Sequence, residues 1–132
     1  MECSPVRILV VEDFAPYRKF ICSTVGKRPN LQVICEVSDG PEAVQKAEEL
    51  KPDLILLDIG LPTLDGIEAA RQIGNVAPES KIIFVTQESS PEFVQAALNL
   101  GAWGYVVKTR AASDLLVAIE AVLDGRQFVS SV

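Results

Sequence analysis

Leu54-Ile55-Leu56-Leu57-Asp58-Ile59-Gly60-Leu61-Pro62 is the stretch on which the fold turns. Four consecutive aliphatic residues read as a short strand buried on both faces, because a strand with one wet face would alternate apolar and polar positions. The acid at its carboxyl end, Asp58, then sits where open α/β sheets bind ligands. The run Ile8-Leu9-Val10-Val11 ends the same way, in Glu12-Asp13. Two buried strands that each deliver acids at their C-terminal tips point to one anionic pocket, suited to a hard cation and to a carboxylate nucleophile.

Outward from that stretch the chain alternates. Strand patterns fall at residues 7–11, 31–37, 54–57, 82–85 and 104–107, with helical patterns between them. The first helix opens with Pro16 and runs through Phe20, Ile21 and Val25 to Gly26. The second follows Ser38-Asp39-Gly40 and is stopped by Pro52; the third is capped by Asp65 and carries Ile67, Ala70 and Ile73. The fourth begins Ser89-Ser90-Pro91-Glu92, a hydroxyl cap and then proline, and the fifth is expected to be capped by Ser113 and to end at Gly125. Successive β-α units imply a flavodoxin-like, doubly wound, five-stranded parallel sheet of order 2-1-3-4-5 with five helices. That order sets the tips of strands one and three side by side, so Asp13 and Asp58 meet. The domain is expected to fill residues 1–125, and residues 126–132 read as the start of a linker or a chain end.

The composition narrows the chemistry. The chain has 132 residues, 48% of them hydrophobic and 23% charged, enough for one domain with a real core. A net charge of -6 and the lack of a basic cluster argue against unaided nucleic-acid binding. No apolar stretch approaches the roughly 20 residues needed to span a bilayer, and no signal peptide precedes the first strand, so no membrane role is expected. The three cysteines are unclustered; Cys22 and Cys35 fall in helix and strand patterns and Cys3 in a tail, which fits a reduced, cytoplasmic setting. There is no histidine, which excludes Ser-His-Asp and Cys-His catalysis and histidine metal sites.

Four strand tips converge on one crevice, bearing Glu12 and Asp13, Asp58, Thr86 and Lys108. Clustered carboxylates repel unless a cation joins them, and Mg²⁺ suits a few oxygen ligands supplemented by water. Lys108 supplies a point charge and Thr86 a hydroxyl. This is the set that phosphoryl transfer to a carboxylate needs: Asp58 as nucleophile, the metal against the phosphoryl oxygens, Lys108 and Thr86 on the added charge.

Glu12-Asp13, Asp58 with Pro62 and Asp65-Gly66, Thr86, and Gly101-Ala102-x-Gly104-Tyr105-x-x-Lys108 together resemble the receiver domain of two-component response regulators over essentially the whole chain. The spelling around Asp58 is most similar to receivers attached to LuxR-type helix-turn-helix outputs. The resemblance implies that Asp58 accepts phosphate from the phosphohistidine of a sensor histidine kinase. It implies that Asp13, Asp58 and the backbone carbonyl of Gly60 bind Mg²⁺, with Glu12 helping through water, and that Thr86 and Lys108 contact the phosphoryl group. Tyr105 would be the aromatic switch that turns inward with Thr86. On this reading the chain is no enzyme in the ordinary sense, but a phosphoacceptor signalling domain that assists its own phosphorylation and dephosphorylation. It would control a transcriptional output, form a homodimer on phosphorylation through the first and fifth helices or the fourth helix and fifth strand, and reach DNA only through an output domain not in this chain. The alternative is a degenerate receiver working by protein contacts alone.

The chain departs from the family pattern in places. Thr109 stands where many receivers have proline, Gln87 where a small residue is expected, and Gly60 and Glu88 occupy two positions that in this family influence how water reaches the acyl phosphate. Two rivals are weaker on the residues themselves. A phosphatase of the haloacid dehalogenase type needs a second aspartate where Gly60 stands, and a flavodoxin-like carrier would not place Glu12-Asp13-Phe14 where a flavin phosphate must bind.

Overall fold

The computed structural model describes residues 4–130. Its strands are β1 (Val6–Val11), β2 (Leu31–Val37), β3 (Leu54–Leu57), β4 (Lys81–Thr86), β5 (Gly104–Val107) and β6 (Phe128–Val129). Its helices are α1 (Ala15–Val25), α2 (Gly40–Leu50), α3 (Gly66–Val76), α4 (Pro91–Asn99) and α5 (Ala111–Leu123). All strands are parallel, in the order β2-β1-β3-β4-β5-β6. The fold is the flavodoxin-like one expected, but the five-stranded sheet is corrected to six. β6 is only two residues long, and a segment reading Arg126-Gln127-Phe128-Val129-Ser130 has no periodicity to betray it. Residues 126–130 thus stay on the sheet and shield the edge of β5, which would otherwise present unpaired backbone groups.

Side chains alternate across the central strands and divide the core in two. Ile8, Val10, Leu54, Leu56, Ile83 and Val85 face α1 and α5, meeting Ile21, Val25, Leu115 and Ile119. Leu9, Val11, Ile55, Leu57 and Phe84 face α2, α3 and α4, meeting Ala43, Ala47, Ile73 and Ala97. Each residue of β3 is at most 1% exposed, so the run before Asp58 is as dry as its spelling implied.

The helix starts follow from local chemistry. Asp39 accepts the Glu42 N–H at 2.8 Å and Asp65 the Glu68 N–H at 2.9 Å, two side-chain N-caps. Ser90 holds the N-cap position of α4 without a side-chain cap bond. Ser113 is not the cap of α5, contrary to expectation. A tight helical turn over Lys108–Arg110 runs straight into α5, so Arg110 is the boundary residue and the Ser113 hydroxyl bonds back to the Arg110 carbonyl at 3.1 Å. Cys22 and Cys35 are free and half-buried, and burial pushes the Cys22 thiol up to about 11, so it packs as a small apolar group. Cys3 lies outside the described residues. Among the described residues, no helix is long and apolar enough to cross a membrane.

Candidate functional site

Strand pairing alone brings the acids together. Val11 pairs with Leu57, so Glu12 and Asp58 leave the sheet side by side, and the Asp58 N–H donates to the Val11 carbonyl at 3.2 Å. Glu12, Asp13 and Asp58 each place a carboxylate oxygen within 4.8 Å of the others. Thr86 pairs with Val107, which sets Thr86 and Lys108 on the opposite wall. These residues and Gly60 line one open cleft of about 620 Å³, where Phe14, Tyr17, Gln87, Glu88 and Thr109 join them. Asp13 is exposed; Glu12, Asp58 and Thr86 are buried.

Lys108 is shared between two acids. Its Nζ lies 2.7 Å from Glu12 Oε1 and 3.0 Å from Asp58 Oδ2. The Asp58 contact has hydrogen-bond geometry, whereas the buried Glu12 Oε1 has the ion pair with Lys108 and no well-directed hydrogen bond. Glu12 Oε2 accepts the Phe14 N–H at 3.0 Å. Burial pushes the Glu12 carboxyl above its ordinary value, and the Asp58 charge adds to this, outweighing the opposing pull of Lys108 and the Phe14 N–H. Burial would lower the Lys108 ammonium, but the two carboxylates more than offset it and hold it above the usual lysine range. Three carboxylates against one ammonium leave excess negative charge. The all-oxygen donors, the buried oxygen of Glu12 lacking a directed bond and the open side at Asp13 fit a small hard cation.

Tyr105 does not line the cleft. It lies fully buried behind Thr86, its hydroxyl donating to the Glu88 carbonyl at 2.6 Å. The Glu88 N–H donates to Thr86 Oγ1 at 3.3 Å, so both residues grip the same peptide segment. Burial, then the charges of Glu88 and Asp58, push the Tyr105 phenol up to about 12. The Gly60 N–H faces Asp58 Oδ1 at 3.4 Å, and its α-carbon looks onto open space.

Three supporting features escaped the sequence. Gly66 approaches the Asp58 peptide so closely that a Cβ would lie 1.9 Å from the Asp58 carbonyl oxygen, while the Gly66 N–H bonds the Ile59 carbonyl at 2.7 Å. Asp-Gly at a helix start signals a cap, and only the tertiary approach reveals why the second residue lacks a side chain. Arg18 donates to the Glu12 carbonyl at 2.8 Å and pairs with Glu36 at 3.4 Å, tying the acid loop to β2. Tyr17 contacts Lys108 twice, through its hydroxyl and its ring. Its position four residues after Asp13, in the first turn of α1, was the available signal.

Known proteins resemble this arrangement over most of the chain. The family model for the response regulator receiver domain matches residues 8–120. Response regulator protein VraR of Staphylococcus saprophyticus is 36% identical over 115 residues, 87% of this chain and 55% of its own length. Transcriptional regulatory protein LiaR of Bacillus subtilis is 35% identical over 126 residues, 96% of this chain and 60% of its own length. This chain therefore spans a little over half of these curated relatives. The solved structure of a LuxR-family two-component response regulator from Aurantimonas sp. SI85-9A1 superposes with a TM-score of 0.90 at 34% identity, over 95% of this chain and 89% of that one. With the acids, threonine and lysine at the strand tips of a flavodoxin-like sheet, and with this match along its length, the chain belongs to the receiver-domain family of two-component response regulators.

Proposed function

We propose that Asp58 is the phosphoacceptor of this receiver, taking a phosphoryl group from the phosphohistidine of a sensor histidine kinase in the cytoplasm. The observation that carries the reading is the place of Asp58: its carboxylate lies 3.0 Å from the Lys108 ammonium and beside Glu12 and Asp13, at the floor of an open cleft. Glu12, Asp13, Asp58 and the Gly60 carbonyl would hold Mg²⁺, which when bound supplies charge to offset the acids and the arriving phosphoryl oxygens.

The Asp58 carboxylate oxygen attacks phosphorus, an O–P bond forms, and the P–N bond to the donor breaks with its electron pair leaving on the imidazole. Lys108 exchanges its bond to Asp58 for one to a phosphoryl oxygen. The Thr86 hydroxyl, which accepts from the Glu88 N–H, turns to donate to the phosphoryl group. Because the Tyr105 hydroxyl bonds the carbonyl of that same Glu88, a change at Thr86 is passed to Tyr105 and to the face of α4 and β5. An added charge of about -1.5 to -2 thereby biases a two-state surface. That surface would control dimerisation and an attached transcriptional output, the only route to DNA for a chain of net charge -6.

Incubation with Mg²⁺ and acetyl phosphate, followed by intact-mass measurement, tests the proposal. One phosphate-sized gain is expected, absent from Asp58→Asn. An undiminished gain in Asp58→Asn, or no gain from any small donor or kinase, overturns it.

A further inference from the structure

Lys108 has two kinds of partner. The first are the carboxylates of Glu12 and Asp58, at 2.7 and 3.0 Å. The second is Tyr17 on α1. Its hydroxyl donates to the Lys108 carbonyl at 3.1 Å, and the Lys108 Nζ lies 4.6 Å from its ring centroid. One side chain thus holds both the backbone and the charged end of the lysine. Tyr17 is itself held: its ring packs against Phe20 with centroids 5.2 Å apart.

The two kinds of partner differ in what phosphorylation does to them. On the phosphoacceptor reading, which this inference deepens, the Asp58 oxygen gives up its bond to the ammonium and a cation competes for Glu12. Both ion pairs are therefore the contacts that must loosen. The aromatic face and the hydroxyl-to-carbonyl bond involve neither acid and persist while the ammonium changes partner. A lysine side chain carries several free rotations, and an ammonium released from both carboxylates would otherwise swing into water. An aromatic face attracts it without neutralising it, so its charge stays available to a phosphoryl oxygen.

We propose that Tyr17 is a positioning residue for Lys108, seating the ammonium over its ring so that it can pass from Asp58 to the phosphoryl group. Proton–nitrogen correlation spectra of the lysine ammonium groups read this seat directly. The Lys108 signal, assigned by its loss in Lys108→Arg, is expected to be displaced upfield by the ring current. Tyr17→Phe keeps the ring and should keep that displacement, with Asp58 phosphorylation by acetyl phosphate and Mg²⁺ slowed only about twofold through loss of one hydrogen bond. Tyr17→Met fills the volume without an aromatic face; it should lose the displacement and slow phosphorylation about tenfold, with cooperative melting retained.

An undisplaced Lys108 signal in the unmutated protein overturns the proposal, and this holds even if Tyr17→Met does not fold. Phosphorylation of a folded Tyr17→Met at the unmutated rate overturns it too. If the unmutated protein takes no phosphate while its Lys108 signal is displaced in the ring-dependent way, the seat stands and the phosphoacceptor reading fails.

Discussion

Glu12 and Asp58 compete for one ammonium, and the consequences can be measured at single residues. Asp58→Asn removes a charge that raises the Glu12 carboxyl, and it leaves Lys108 paired with Glu12. The cation-free variant should therefore melt no lower than the unmutated protein, with a gain of up to about 1 kcal/mol. Denaturant melts check this; a loss of more than about 2 kcal/mol would mean that Asp58 is needed to hold the fold. Tyr105 gives an alkaline prediction. Its phenol is raised from 10.0 to about 12, so its contribution to stability is whole below about pH 10 and lost as pH rises through about 12. Phenolate absorbance should show Tyr105 titrating late, and Tyr105→Phe should flatten the fall in stability above pH 10 by about 2 kcal/mol. An ordinary tyrosine titration at that position would contradict the burial of the phenol beside the charges of Glu88 and Asp58.

The elements hold these residues by backbone contacts that the side chains do not advertise. The start of α3 rests on the Asp58 peptide at Gly66, and the start of α2 rests on the next part of that loop, where a Cβ on Gly40 would lie 2.2 Å from the Leu64 carbonyl oxygen. Gly66→Ala should cost about 3 kcal/mol or more and shift the Asp58 backbone, read as lowered stability together with altered amide signals at residues 58–60. An unchanged melt would show that the α3 start can move aside freely. At the other edge, the Ser130 hydroxyl accepts the Val107 N–H at 3.2 Å and donates to Asp114 Oδ2 at 2.8 Å. That bond, with those from Ser113 and Arg110, outweighs burial and holds the Asp114 carboxyl below its ordinary value. Ser130→Ala leaves the Val107 N–H without this acceptor and should cost about 1–3 kcal/mol, with faster amide exchange concentrated in β5 and β6. Uniform exchange across the sheet would argue against a local latch.

Across the whole molecule, what was legible depended on the range of the forces involved. Leu54 to Leu57 and Ile8 to Val11 announced a two-sided sheet because burial acts on every residue of a run, and the cap at Asp65 is local. Parallel order then brought Glu12, Asp13, Asp58, Thr86 and Lys108 to one cleft with no further information. β6 was not legible, since two residues make no pattern, and neither was the displaced start of α5, since Ser113 is as good a cap on paper as any serine. Tyr17 and Gly66 stayed hidden for a third reason: their roles exist only where two distant segments touch. Asp58, with the Lys108 ammonium at 3.0 Å and the carboxylates of Glu12 and Asp13 beside it, has neighbours that a solvated loop acid lacks.

Borohydride trapping tests whether Asp58 is the residue that takes the phosphoryl group. After treatment with Mg²⁺ and acetyl phosphate, borohydride reduces an aspartyl phosphate to homoserine, and peptide fragmentation then locates the altered residue. Homoserine is expected at position 58 and nowhere else, dependent on both donor and cation. Homoserine at Asp13 or another acid, or an unaltered Asp58 in protein that has taken up phosphate, would contradict it.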